Sequence, residues 1–161
     1  MFERILVPLD GSGFSARALP YAVEIARRFG AELFLLQVVP PTAPPTAIRS
    51  AAGQSRIAVE KALQQAHDDE KRNMTRARRY LREKLREVTA HGVKGSYHIE
   101  VGSPAESILE FCKKESVGLV VMTTHGRGGF KRAILGSVAD KLIRDPSFPV
   151  LAVRPRTLPK E

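Results

Sequence analysis

The 161-residue sequence has no tryptophan, one cysteine and only 6% aromatic residues. A lone Cys112 excludes an intramolecular disulfide, and its place on the apolar side of a helical pattern makes it a small core residue rather than a nucleophile. No apolar run approaches the ~20 residues that span a bilayer. The N-terminal run follows Glu3 and Arg4 and is interrupted by Pro8 and Asp10, unlike a secretory leader, so a soluble cytoplasmic protein is expected. His67, His91, His98 and His125 lack paired metal-ligand spacing, so no metal site is expected. A Walker A pattern is missing, since Lys131 is followed by Arg132 and not preceded by glycine. Ser12 and Ser137 each follow a glycine, but neither lies in a G-x-S-x-G elbow, and no catalytic residue is assigned.

What is present is ordinary for one globular domain: 43% hydrophobic and 27% charged residues. A chain of this length buries roughly 68–70% of its unfolded surface in a single core. Residues 1–155 are read as one domain and 156–161 as a tail. The net charge of +9 is partly gathered in Lys71–Arg86, where Arg72, Arg76, Arg79, Lys84 and Arg86 interleave with Met74, Ala77, Leu81 and Leu85. On a helix this is a solvated basic face backed by a core stripe, and it keeps nucleic acid as a rival partner class.

Short apolar runs alternate with helical patterns. Arg4–Leu9 suits a strand buried on both faces. Asp10-Gly11-Ser12-Gly13 turns the chain, Ser15 is a candidate N-cap, and Leu19, Ala22, Val23, Ala26 and Phe29 form a stripe closed by Gly30. Pro20 within that pattern predicts either a distorted first turn or a late start. Leu33–Val39 is a second strand. Pro40–Gly53, with four prolines, reads as a surface loop longer than most. A long helical pattern follows from about Arg56 through Ala62, Leu63, Ala66, Ala77, Leu81, Leu85 and Val88, with room for a break at polar His67–Asn73. Ser96–Val101 is the third strand. Ser103, Pro104 and Glu106 give a capping-box helix start, with Ile108, Leu109 and Cys112 on its buried side. Val117–Met122 and Val150–Val153 are the fourth and fifth strands.

This alternation predicts a doubly wound α/β domain, a five-stranded parallel sheet of order 3-2-1-4-5 with helices on both faces. Ligands of such sheets bind beyond the C-terminal strand ends, where the order reverses. Pro8–Gly13, Val38–Pro40 and Thr123–Gly136 fall on that rim. Within Met122–Val138 a strand ends in a glycine-rich cationic loop that opens a helix, a layout that binds anions through free N–H groups and the helix dipole. Gly11–Ala16 also fits G-x-G-x-x-A. However, Asp10 would oppose a pyrophosphate there, and no acid ends the second strand.

The chain resembles the universal stress protein family, from Ile5–Ser12 through Gly126 and Gly136-Ser137 to Phe148–Val153. The family's nucleotide motif is glycine, two residues, glycine, nine residues, then glycine with serine or threonine. Gly126, Arg127–Leu135 and Gly136-Ser137 match it, while Thr123 stands in place of the first glycine. The resemblance implies ATP as ligand, with Mg2+ carried by its phosphates. Asp10 is then expected on the ribose, beside Pro8 and Leu9, with Val38 at the adenine edge through its backbone. Met122, Thr123 and Gly126 flank the sugar, and Gly136, Ser137 and Val138 meet the phosphates. Arg127 supplies charge, and Gly129 lies in the same loop. Two roles stay open: Asp10 as an Asx-turn residue, and His125 as a loop hydrogen bond or a ligand contact. The expected function is ATP binding with at most slow hydrolysis, in a homodimer joined through Val150–Val153. No membrane partner is expected, and an adenine nucleotide is favoured over nucleic acid.

Overall fold

Ile5, Leu6 and Val7 keep no solvent exposure although their side chains point alternately to opposite sides, so the strand they form lies between two cores. The computed structural model describes residues 1–41, 56–124 and 136–154. That central strand, β1 (Arg4–Pro8), is flanked by β2 (Glu32–Val39) on one side and β4 (Leu119–Thr123) on the other. β3 (Gly95–Val101) lies outside β2, and β5 (Val150–Val153) outside β4. All pairings are parallel, in the order β3-β2-β1-β4-β5 that the sequence predicts.

Helices cover both faces. On one, Ile5, Val7, Leu33, Leu35 and Val121 pack against α2 (Leu19–Phe29) and α3 (Arg56–Ala90) through Ala22, Val23, Leu81 and Val88. On the other, Leu6, Phe34, Leu36, Val120 and Met122 meet α4 (Pro104–Lys114) and α5 (Ser137–Arg144) through Ile108, Phe111, Cys112 and Leu142. Phe34 meets Phe111 and His98 edge-on beside this second core, His98 and Phe111 lie tilted to each other, and the His98 ring also meets the Ser96 hydroxyl at 3.0 Å.

Local chemistry accounts for how these helices begin and run. A short α1 (Gly13–Ala16) precedes α2, and its N-cap is Ser12 rather than Ser15, because Ser12 Oγ accepts the Ser15 N–H at 3.2 Å. α2 takes the late start at Leu19, which puts Pro20 in the first turn, where its missing N–H is harmless. α3 runs unbroken through His67–Asn73, with Asp68 and Asp69 accepting from Gln64 and Arg72 along its surface. Ala62 and Leu63, on that helical pattern, are exposed, and full burial begins at Ala77. Ser103 caps α4 by backbone geometry without a side-chain bond, and Glu106 reaches Lys141 of α5 instead of completing a capping box.

Candidate functional site

After β1 the chain returns through β2 and β3 on one side, whereas β4 and β5 lie on the other, so the sheet reverses between β1 and β4. In sheets of this kind ligands bind beyond the C-terminal strand ends at such a reversal.

The β1–α1 turn forms one wall. The Leu9 N–H donates to Leu36 O at 2.8 Å, prolonging the ladder past Pro8. Asp10 then closes an Asx-turn: its Oδ1 accepts the Ser12 N–H at 2.9 Å and the Ser12 hydroxyl at 2.5 Å. Gly11, between them, sits at φ 81°, a left-handed conformation that glycine adopts without strain. The Asp10 N–H donates to Ser15 Oγ at 3.2 Å, and Ser15 Oγ donates to Ser12 O at 3.1 Å. From α3, the Tyr80 hydroxyl donates to the same carbonyl at 3.4 Å. Burial raises the Tyr80 phenol, which keeps it a donor over the ordinary pH range. The carboxylate of Asp10 is therefore held in place by its own turn.

β2 supplies the second wall. Val38 pairs with Glu100 of β3, and its side chain leans on the second core. Its neighbour Gln37 has a buried amide oxygen with no hydrogen-bond partner among the described residues, and its amide nitrogen lies 3.5 Å from where a Cβ on Gly11 would stand. Sequence reasoning passed over this residue. Its signal was a lone polar amide inside the apolar run Leu33–Val39.

β4 and α5 supply the third. Met122 is only 7% exposed and belongs to the second core, so it reaches the rim through its backbone. Thr123 is buried opposite Val153, and the Thr124 N–H donates to Val153 O at 3.0 Å. Thr124 O in turn accepts the Gly136 N–H at 2.9 Å. The Gly136 N–H is thus engaged by Thr124, because Gly136 is the extended N-cap residue that returns the chain to β4. Helical bonding in α5 starts with the Asp140 N–H donating to Gly136 O at 2.8 Å. Ser137, Val138 and Ala139 therefore present the first-turn N–H groups at the positive end of the helix. His125, Gly126, Arg127 and Gly129 lie outside the described residues.

The reversed sheet, the turn that fixes Asp10 at the end of β1 and the helix start after β4 define a doubly wound α/β domain. Residues 1–154 match the universal stress protein family, and the chain belongs to it. It is 33% identical over 154 residues to universal stress protein YxiE of Bacillus subtilis, covering 96% of this chain and 100% of that one. Identity to universal stress protein MJ0531 of Methanocaldococcus jannaschii is 31% over 154 residues, covering 96% and 83%. Among solved structures, protein MJ0577 superposes with a TM-score of 0.80 at 25% identity over 98% of this chain and 99% of that one. The same fold recurs in a universal stress protein complexed with cAMP, with a TM-score of 0.64 at 22% identity over 95% and 97% of the chains. It recurs again in an Archaeoglobus fulgidus protein complexed with dAMP, at 0.65 and 19% over 96% and 100%.

Proposed function

We propose that the rim between β1 and β4 binds an adenine nucleotide, ATP with Mg2+, and that the chain is a nucleotide-binding stress-response module with at most slow hydrolysis. The observation that carries this reading is the pairing of a turn-fixed carboxylate, Asp10, with the exposed start of α5 across the point where the sheet reverses. A carboxylate accepts hydroxyl hydrogen bonds from a ribose, and a helix N-terminus with a serine hydroxyl receives phosphate oxygens. The N–H groups and hydroxyl at Ser137–Ala139 fit phosphates. Mg2+ would be held chiefly by those phosphates, which is how the ion commonly binds nucleotides. The relatives complexed with cAMP and dAMP share this fold, and the ligand class is carried to this chain by its own rim residues. Ser12 already draws on Asp10 Oδ1, so that atom is committed to the turn rather than to activating water, in keeping with slow turnover.

Calorimetric titration with ATP, ADP and AMP tests the proposal. Binding is expected, with at least about a tenfold loss for Asp10→Ala, the scale of a charge-assisted hydrogen bond. Thr123→Gly is expected to bind more tightly by relieving crowding at the sugar. An absence of heat with all three nucleotides at millimolar concentration sinks the reading.

A further inference from the structure

The surface that stands apart from the rest is the outer side of α3. At 100° per residue, Lys71, Arg72, Arg78, Arg79, Arg82 and Arg86 fall within a stripe about 120° wide and about 22 Å long. All six are exposed, and the stripe lies away from the buried line Ala77, Leu81 and Val88. On α2 and α5 the exposed cations are matched by acids: Arg27 and Arg28 by Glu24, Lys141 by Glu106, Arg144 by Asp140. Within the stripe, among the described residues, only Arg72 has an acidic partner, Asp69. Arg78, Arg82 and Arg86 recur at four-residue spacing, where like charges oppose helix formation. A face selected only for solubility would intersperse both signs.

The composition of the stripe indicates what neutralises it. Five of the six cations are arginine, whose planar fork matches phosphate oxygens in pairs. Tyr80, the aromatic residue of this stretch, is turned inward to Ser12, so nothing here stacks on unpaired bases. No asparagine or glutamine stands among the outward cations to read base edges. A rigid rod about 22 Å long spans about six base pairs of duplex at 3.4 Å each. We infer that the outer face of α3 docks on the phosphate backbone of double-stranded nucleic acid without sequence preference. This surface is separate from the rim and does not depend on nucleotide binding there.

The test is fluorescence anisotropy of a labelled 20-base-pair duplex with the full chain, using two unrelated duplex sequences. Equal affinity for both is expected, weakening at least about a hundredfold between 50 and 200 mM salt as four or more phosphates are engaged. The triple variant Arg78→Gln, Arg82→Gln, Arg86→Gln, in which glutamine keeps helix propensity, should lose at least about tenfold. A control with the same change in net charge, Lys94→Gln, Lys113→Gln, Lys114→Gln, should stay within about threefold. Circular dichroism of both variants checks that the fold is retained. No duplex binding at 50 mM salt overturns the inference, as does an equal loss in both triple variants. Binding to phosphatidylserine vesicles without binding to duplex also overturns it, and assigns the stripe to a membrane surface.

Discussion

Among the described residues, Gln37 Oε1 is buried near the end of β2 without a donor, inside the apolar run Leu33–Val39. An orphaned buried acceptor costs about 1–3 kcal/mol in desolvation, and an apolar group of similar shape removes that cost. Gln37→Leu is therefore expected to raise the thermal midpoint of the nucleotide-free protein by about 2–4 °C for a chain of this size. A lower midpoint in scanning calorimetry would show that the amide is needed by the ligand-free fold. Cys112, 2% exposed beside Phe111, behaves as the sequence predicts, and burial pushes its thiol up to about 12 from 9.0. Because the folded state holds this proton more tightly, its contribution to stability is intact below about pH 9 and is lost as pH rises toward 12. Cys112→Val should flatten the fall in denaturation midpoint between pH 8 and pH 10.5, and an unchanged slope counts against this origin. The site was legible in part at this scale. The family resemblance assigns Asp10, Val38 and Ser137 to the rim, and the chain sets them just after β1, near the end of β2 and at the start of α5. The engagement of Gly136 with Thr124, and the grip of Tyr80 on Ser12, link residues far apart in sequence that no local pattern connects.

Elements were legible where one force dominates. β1, β2 and β4 bury both sides, so continuous apolar runs marked them to within two residues, and β5 was read at its observed limits. α3 shows the limit of such reading. Its first half carries Ala62, Leu63 and Ala66 at helical spacing, yet Ala62 is exposed and Leu63 is 45% exposed, because periodicity reports a face and not whether anything covers it. At about 1.5 Å per residue the helix is about 52 Å long, far longer than the strands it crosses, and it packs on β2 and β3 through its second half. Leu81, fully buried, and Leu63 thus separate the two halves energetically. Leu81→Ala should cost about 2–5 kcal/mol in denaturant unfolding, whereas Leu63→Ala should stay within about 0.5 kcal/mol. Equal losses would mean that the first half of α3 is covered in solution.

For the whole molecule the unresolved feature is the open edge of the sheet. β5 pairs with β4 on one side only, and along it Leu151 is 37% exposed, Ala152 is exposed and Val150 is half-buried. An apolar edge strand with unpaired backbone groups invites another strand, and soluble proteins commonly cover such edges or place charge on them. No lysine, arginine or proline interrupts Val150–Val153. The opposite edge differs: β3 carries Ser96, His98 and Glu100, and α3 packs over it. A two-fold partner laying its own β5 antiparallel against this one would extend the sheet across both chains and satisfy each edge with the same surface, as closed two-fold symmetry requires. Light scattering should then give twice the 17.7 kDa chain mass at micromolar concentration. Leu151→Lys, which puts a charge on the edge while leaving the fully buried strands untouched, should give the monomer mass with an unchanged circular dichroism spectrum. A native protein that stays at the monomer mass at tens of micromolar excludes this mode of assembly.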